Sequence, residues 1–394
     1  MGIKAMTSKE RLLNTMEYKE TDYVPCCFMM FHGLRDRFPG DPIRFVEEQL
    51  SLGLDAVVEL PELPTSFHQD VKEKTWVEKK APGEIHPILH KEYDTPAGTL
   101  HTSVRKTEDW PHGDKVEFYS DYNVPRSKEF HVNGKRDLKS FRYLLSPPTA
   151  AQVKEYREQC AALRRYAQKS GLMVRGVRGV LIDAAIRFAG VENLIFAAID
   201  DPAYLEEFLE ILWDWNMLRM ELVLDEKPDL FLRRAWYENT SFWSRDMFRR
   251  FMKPYLMKEV IWAHEADVKY GYINTCAYMP LLDDFEEIGF DVLIGVDPVE
   301  DKDLNMPELK RRAQNKYCLW GGCNGFVTVE MGAEPEIRAE VFQAMDILSP
   351  GGGYILSPVD NVRDTSERTM QNAKTLINAW KEKRAFTQKP GGPT

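Results

Sequence analysis

The stretch YGYINTCAYMP, residues 270–280, runs from a strand-like alternation into Asn274, Thr275 and Cys276 before a proline starts the next element. An amide two residues from a thiol, at the mouth of a strand, can supply a metal ligand or hydrogen bonds to an organic substrate. A second chemical group is WYE, residues 236–238, with Trp243 close behind. A carboxyl walled by aromatic rings is desolvated, its pKa rises, and it can donate a proton near neutral pH. Glu238 is therefore the expected acid, with Tyr237 as a further donor and Trp236 and Trp243 as walls. His32, ahead of Gly33, is a third catalytic candidate and equally a plain polar residue; Met29, Met30 and Phe31 before it read as apolar wall or as core.

These groups share a position. Each lies where an apolar, strand-like run ends, and such runs alternate with amphipathic helical segments along the chain. The runs are 24–31, 54–60, 172–178, 229–238, 268–274, 291–297, 317–325 and GYILS at 353–357. Eight units predict an α/β chain folded as one (β/α)8 TIM barrel over 1–394. A polar excursion at about 61–145, too long for a loop and alternating in places, is expected to be a β-rich insertion after the second strand. The end, 386–394, reads as a flexible tail. An open doubly wound sheet is the competing architecture, but no G-x-G-x-x-G follows an early strand.

Barrel enzymes carry their chemistry at the C-terminal ends of the strands. Those ends hold His32, Glu59, Arg178, Tyr237, Glu238, Asn274, Cys276, Asp297, Asn324, Asp360 and Asn361, a rim rich in carboxylates with one early His and one Arg. Glu59 also reads as a solvated loop carboxylate, and Asp297 as a loop cap before Pro298. Cys26, Cys27, Cys160 and Cys318 sit inside elements and read as core; Cys276 and Cys323 lie near the rim.

Composition removes several classes. Lys and Arg number 52 against 62 Asp and Glu, a net charge of −10 with no basic run, which disfavours nucleic acid. No apolar run approaches the ~18 residues of a membrane span. Six cysteines in so long a chain, with no secretory signal, read as thiols in a cytoplasmic protein. A homodimer stays open.

The segment from WYENTSFWSRDMF to VLIGVDP, together with ELKRRAQNKYCLWGGCNG and SPGGGYILSPVDNV, resembles the uroporphyrinogen decarboxylase superfamily over nearly the whole chain. The resemblance implies one of two chemistries: decarboxylation of a porphyrinogen, or methyl transfer involving a cobalt corrinoid (cobalamin) held by a separate corrinoid-binding protein. For the first, the family's arginine-rich segment after strand one is here FHGLRDRF, with only Arg35 and Arg37, and an acidic rim would repel a polycarboxylate. For the second, thiol-activating members bind zinc with a His-x-Cys after strand five and a further Cys after strand eight. Here those places hold Asn274-Thr275-Cys276 and Pro358-Val359-Asp360. No metal is expected unless Glu238 and Asp360 join Cys276 as ligands to zinc. The resemblance thus implies transfer from a small methylated donor, such as a methoxylated aromatic ether, to cobalt. Glu59, Arg178, Trp236, Trp243, Asn274, Cys276, Asn324, Asp360 and Asn361 would then bind the substrate, and Glu238, Tyr237 and His32 would assist the leaving oxygen.

Overall fold

The computed structural model describes residues 5–178 and 181–385 of the chain; the side chain of Arg178 and the expected tail 386–394 lie outside the described residues. Strands follow in chain order as β1 (Val57–Glu59), β2 (Lys72–Glu78), β3 (Ile88–Thr95), β4 (Gly98–Arg105), β5 (Ser127–Glu129), β6 (Met173–Arg178), β7 (Leu230–Arg234), β8 (Lys269–Ile273), β9 (Val292–Val296), β10 (Cys318–Asn324) and β11 (Tyr354–Val359). β1 and β6 to β11 form one parallel sheet in the order β1-β6-β7-β8-β9-β10-β11. The order never reverses, as a doubly wound sheet would require, so the fold is an α/β barrel-like wall.

Seven regular strands stand where eight were expected. Residues 24–31 form an irregular stave, bridged to β11 at Cys26–Leu356 and just beyond it at Met30–Asn361. The Leu356 N–H donates to Pro25 O, and the Asp55 N–H, on the approach to β1, donates to Cys26 O. The irregularity has a chemical cause, because Pro25 and Pro358 cannot donate to a ladder. The Met29 N–H finds the Ser357 hydroxyl instead, at 2.7 Å.

Side chains alternate across each strand. Met29, Val57, Met173, Leu230, Leu232, Ile273, Ile294 and Trp320 belong to one apolar cluster, the lumen. Val58, Val174, Phe231, Tyr270, Tyr272 and Leu293 belong to a larger one, shared with the helices outside. Helix Ser8–Met16 starts with a reciprocal cap between Thr7 and Glu10. It lies across the strand starts, with its Lys9 paired to Asp229 and the following Glu17 to Lys269. Leu12 and Met16 enter the lumen cluster there and close the floor.

β2 to β5 form a separate antiparallel sheet between β1 and β6 in the chain. Its Tyr93, Phe118 and buried His131 gather around Phe188 of helix Ile182–Ala189, with Phe118 and Phe188 centroids 4.9 Å apart. That contact fastens the sheet to the helix following β6. Helix Ile182–Ala189 is separated from Val191–Asp200 by Gly190, where φ is +77° and a Cβ would meet the Phe130 ring at 2.5 Å. Among the described residues no helix is long and apolar enough to cross a membrane, and the six cysteines are free thiols.

Candidate active site

β7 reads LFLRR and ends at Arg234, four residues before the expected end. Alternation places Leu230, Leu232 and Arg234 toward the lumen and Phe231 and Arg233 toward the helices. Arg233 is fully buried and pairs with two buried carboxylates, Glu238 at 2.5 Å and Glu259 at 2.9 Å. The Tyr272 hydroxyl donates to Glu238 at 3.0 Å, the Tyr270 hydroxyl to Glu259, and the Asn216 amide to Glu259 at 3.1 Å. Burial raises the pKa of Glu238, opposed by Arg233.

Glu238 therefore sits where the sequence reading did not put it. The chain turns after Arg234, with the Glu238 N–H donating to Ala235 O. The carboxylate is directed into the layer behind the wall, against Arg233 and Tyr272, and the Ile182 N–H approaches it at 3.4 Å. Trp243, also buried, donates its indole N–H to Tyr237 O at 2.8 Å. The Asn274 side chain donates to Glu238 O at 2.9 Å, so those two predicted residues do meet. The Asn274 Oδ1 is buried with no partner.

At the opening, the Arg234 guanidinium lies over the Trp236 ring, 4.7 Å from its centroid. Asp121, from the segment between β4 and β5, accepts from Arg234 at 2.7 Å and from Arg187. Arg187 also donates to the Tyr119 hydroxyl at 3.0 Å and to Asp183 O at 2.9 Å. The Tyr237 N–H donates to Asp183 Oδ1 at 3.2 Å, while Asp183 Oδ2 is buried without a partner. Burial first and Asp183 second raise the Tyr237 pKa, which keeps its hydroxyl protonated. Asp360 faces the same field from β11. Its pKa is raised by burial and pulled down by Arg363 and Arg234, and it pairs loosely with Arg363 at 3.5 Å.

His32 and Asn361 meet across the stave. Asn361 Oδ1 accepts the His32 backbone N–H at 3.1 Å, which orients its Nδ2 toward His32 Nδ1 at 2.7 Å. The amide must donate there, so the ring proton sits on Nε2. Burial pushes the imidazole down to about 4, with Arg35 adding to the effect, so it is neutral at neutral pH. Glu59 is well exposed and pairs with Arg175 at 2.5 Å; Arg175 also reaches Met29 O at 3.3 Å.

The remaining candidates are bound up in loops. Asn324 donates to Asp297 Oδ2 at 2.8 Å and accepts the Val327 N–H at 2.6 Å, and Asp297 accepts the Val299 and Glu300 N–H groups. That is the cap reading of Asp297. Cys276 is partly exposed, accepts from the Asn239 amide at 3.6 Å, and has its pKa raised by burial and by Asp301. Among the described residues no three or more His, Cys, Asp or Glu side chains gather as a metal would need. Cys276, Glu238 and Asp360 make no such group, because Glu238 is committed to Arg233; this donor set does not fit zinc.

Sequence reading missed Arg175, Arg187, Arg233, Arg234, Asp121 and Asp183. The rim expected to be acidic is charge-balanced by three of those arginines. The signal was the Arg-Arg pair inside an apolar strand, since a buried guanidinium must find an acid.

The family model described as uroporphyrinogen decarboxylase (URO-D) matches residues 110–382. A methyltransferase from Methanosarcina mazei superposes with a TM-score of 0.59 at 18% identity, covering 96% of this chain and 99% of that one. A B12-independent methionine synthase from Shewanella sp. W3-18-1 reaches 0.49 at 9% identity, covering 91% and 97%. No curated protein matches. With a family match across most of its length and a wall of consecutive parallel strands, the chain belongs to the uroporphyrinogen decarboxylase family.

Proposed function

We propose that this chain is a methyltransferase component that takes a methyl group from a small methylated donor, a methoxylated aromatic ether, for the cobalt of a corrinoid carried by a partner protein. What supports the reading is that a flat wall and hydrogen-bond donors that keep their protons both lie just past the C-terminal ends of the parallel strands. Trp236 and Tyr237 supply the wall. The Tyr237 hydroxyl and the His32 Nε2–H supply the donors.

The partner's cobalt(I) supplies the nucleophile. What this chain must do is bind the ether, hold its ring, exclude water and assist the oxygen that leaves with both electrons of the C–O bond. A neutral imidazole is a weak acid but a good donor to a developing phenolate, and the half-buried Tyr237 hydroxyl acts in the same way. Glu238 acts from behind the wall, as a positioning group that holds Asn274 and the turn after β7. Full-length likeness to a protein described as a methyltransferase supports the fold side of this reading.

The experiment mixes the purified chain with a cobalt(I) corrinoid protein and a panel of methoxyarenes, and follows the cobalt(I) absorbance. Transfer from at least one donor is expected; none from any donor would sink the proposal.

Arg175, Arg187 and Arg234 at the opening favour a second reading, decarboxylation of a porphyrinogen. Arg175 is matched by Glu59, and Arg187 and Arg234 share Asp121. Release of carbon dioxide from uroporphyrinogen would establish it.

A further inference from the structure

Two guanidinium groups at the opening share one carboxylate. Arg187, with its side chain 4% exposed, and Arg234, at 24%, both pair with Asp121, which is 57% exposed. The three come from distant parts of the chain: the helix after β6, the end of β7, and the segment between β4 and β5.

The arginines are held independently of Asp121. Arg187 is fixed by the Tyr119 hydroxyl and the Asp183 carbonyl, and Arg234 rests on the Trp236 ring. Asp121 is held by nothing comparable: among the described residues its carboxylate accepts only from these two forks. It stays ionised: burial pushes its pKa up, but Arg187 and Arg234 outweigh that and pull it down to about 2. A carboxylate with its side chain this open to water can be exchanged for another one without leaving either fork unpaired, whereas the forks cannot move with it.

We propose that Arg187 and Arg234 form a carboxylate subsite for the methyl donor, in which Asp121 is the resident stand-in that the donor's own carboxylate displaces. This rests on the methyltransferase reading and narrows it: the donor is a methoxylated aromatic carboxylate. Exchanging one carboxylate for another leaves the local charge unchanged, so its arrival strands no buried ion. A guanidinium fork matches the planar, two-oxygen geometry of that group. The ring attached to it is placed beside Trp236, the flat surface next to Arg234. A neutral methoxyarene gains nothing from moving Asp121.

The test is calorimetric binding of benzoate, 4-methoxybenzoate and neutral 4-methoxybenzyl alcohol to the full chain and to Arg234→Gln and Asp121→Asn, with no cobalt present. 4-Methoxybenzoate should bind about tenfold tighter than the alcohol, and Arg234→Gln should erase that difference. Asp121→Asn should tighten benzoate several-fold and leave the alcohol unchanged. Equal affinities for acid and alcohol would overturn the proposal, as would weaker benzoate binding in Asp121→Asn. Circular dichroism checks the Arg234→Gln fold; should it fail, Asp121→Asn, at a mainly exposed position, decides alone. If benzoate follows this pattern but no donor loses its methyl group to cobalt, the subsite stands and the methyltransferase reading falls. If the alcohol is demethylated as readily as the acid, the reverse holds.

Discussion

Arg233 and Arg234 are neighbours in the chain and live in different surroundings. Arg233 is sealed behind the wall among Glu238, Glu259, Tyr270 and Tyr272, with every partner buried. Arg234 faces the opening, shares Asp121 with Arg187, and is partly wet. One step along a strand turns a side chain through the sheet, and with it the purpose of a charge. Behind the wall, a cation fastens elements together. At the opening, a similar cation keeps its contact with water.

Substitution of each arginine tests this contrast most severely. Arg233→Met strands two buried carboxylates and should lower stability by about 3–5 kcal/mol, measured by urea unfolding. Arg234→Gln should cost under about 1 kcal/mol, as for a partly exposed pair. Similar losses from both would dissolve the contrast. Next in size, Asn361→Ala frees His32 Nδ1 and lets the proton move between ring nitrogens. The proposed demethylation should slow about tenfold or more, as when metal-bound histidines lose such a partner, and nitrogen NMR of the ring should lose its single-tautomer pattern.

A smaller effect concerns acid. His32 should titrate near about 4 by NMR, below the ordinary ~6.5. For a base whose folded pKa is depressed, the unfolded chain takes up the proton first. The His32 contribution is therefore complete above pH ~6.5 and fades as pH falls toward about 4. His32→Gln should flatten that part of the stability curve; a normal titration would remove the burial argument. Smallest is Glu59→Gln, an exposed pair with Arg175, expected to change stability by less than about 1 kcal/mol.

Much of the architecture was legible because parallel strands are nearly continuous apolar runs and the helices between them carry clear periodicity. Helix Pro202–Asp225 carries Pro202 in its first turn and helix Leu282–Ile288 ends at a left-handed Gly289, both local signals that a sequence displays. The first stave was over-read as a regular strand: the run looked suitable, but two prolines remove the donors of a ladder. The site was less legible. Ending β7 four residues late kept Glu238 on the rim, and the true end turns it behind the wall. The missing partners are remote in the chain: Arg234 and Asp121 lie 113 residues apart, and His32 and Asn361 lie 329 apart. No local pattern announces such pairs. A guanidinium inside an apolar run does announce that an acid must exist somewhere, and that clue was available at residues 233 and 234.

The helix laid across the strand starts has a consequence for traffic. With Leu12 and Met16 packed beneath it, the lumen is closed at the strand starts, so under the proposed transfer the donor and the partner's corrinoid would both have to arrive at the strand ends. A small donor would then have to be seated before a bulky partner leans over it, and its remnant would wait until the larger one withdraws. Turnover would then follow a queue: last in, first out.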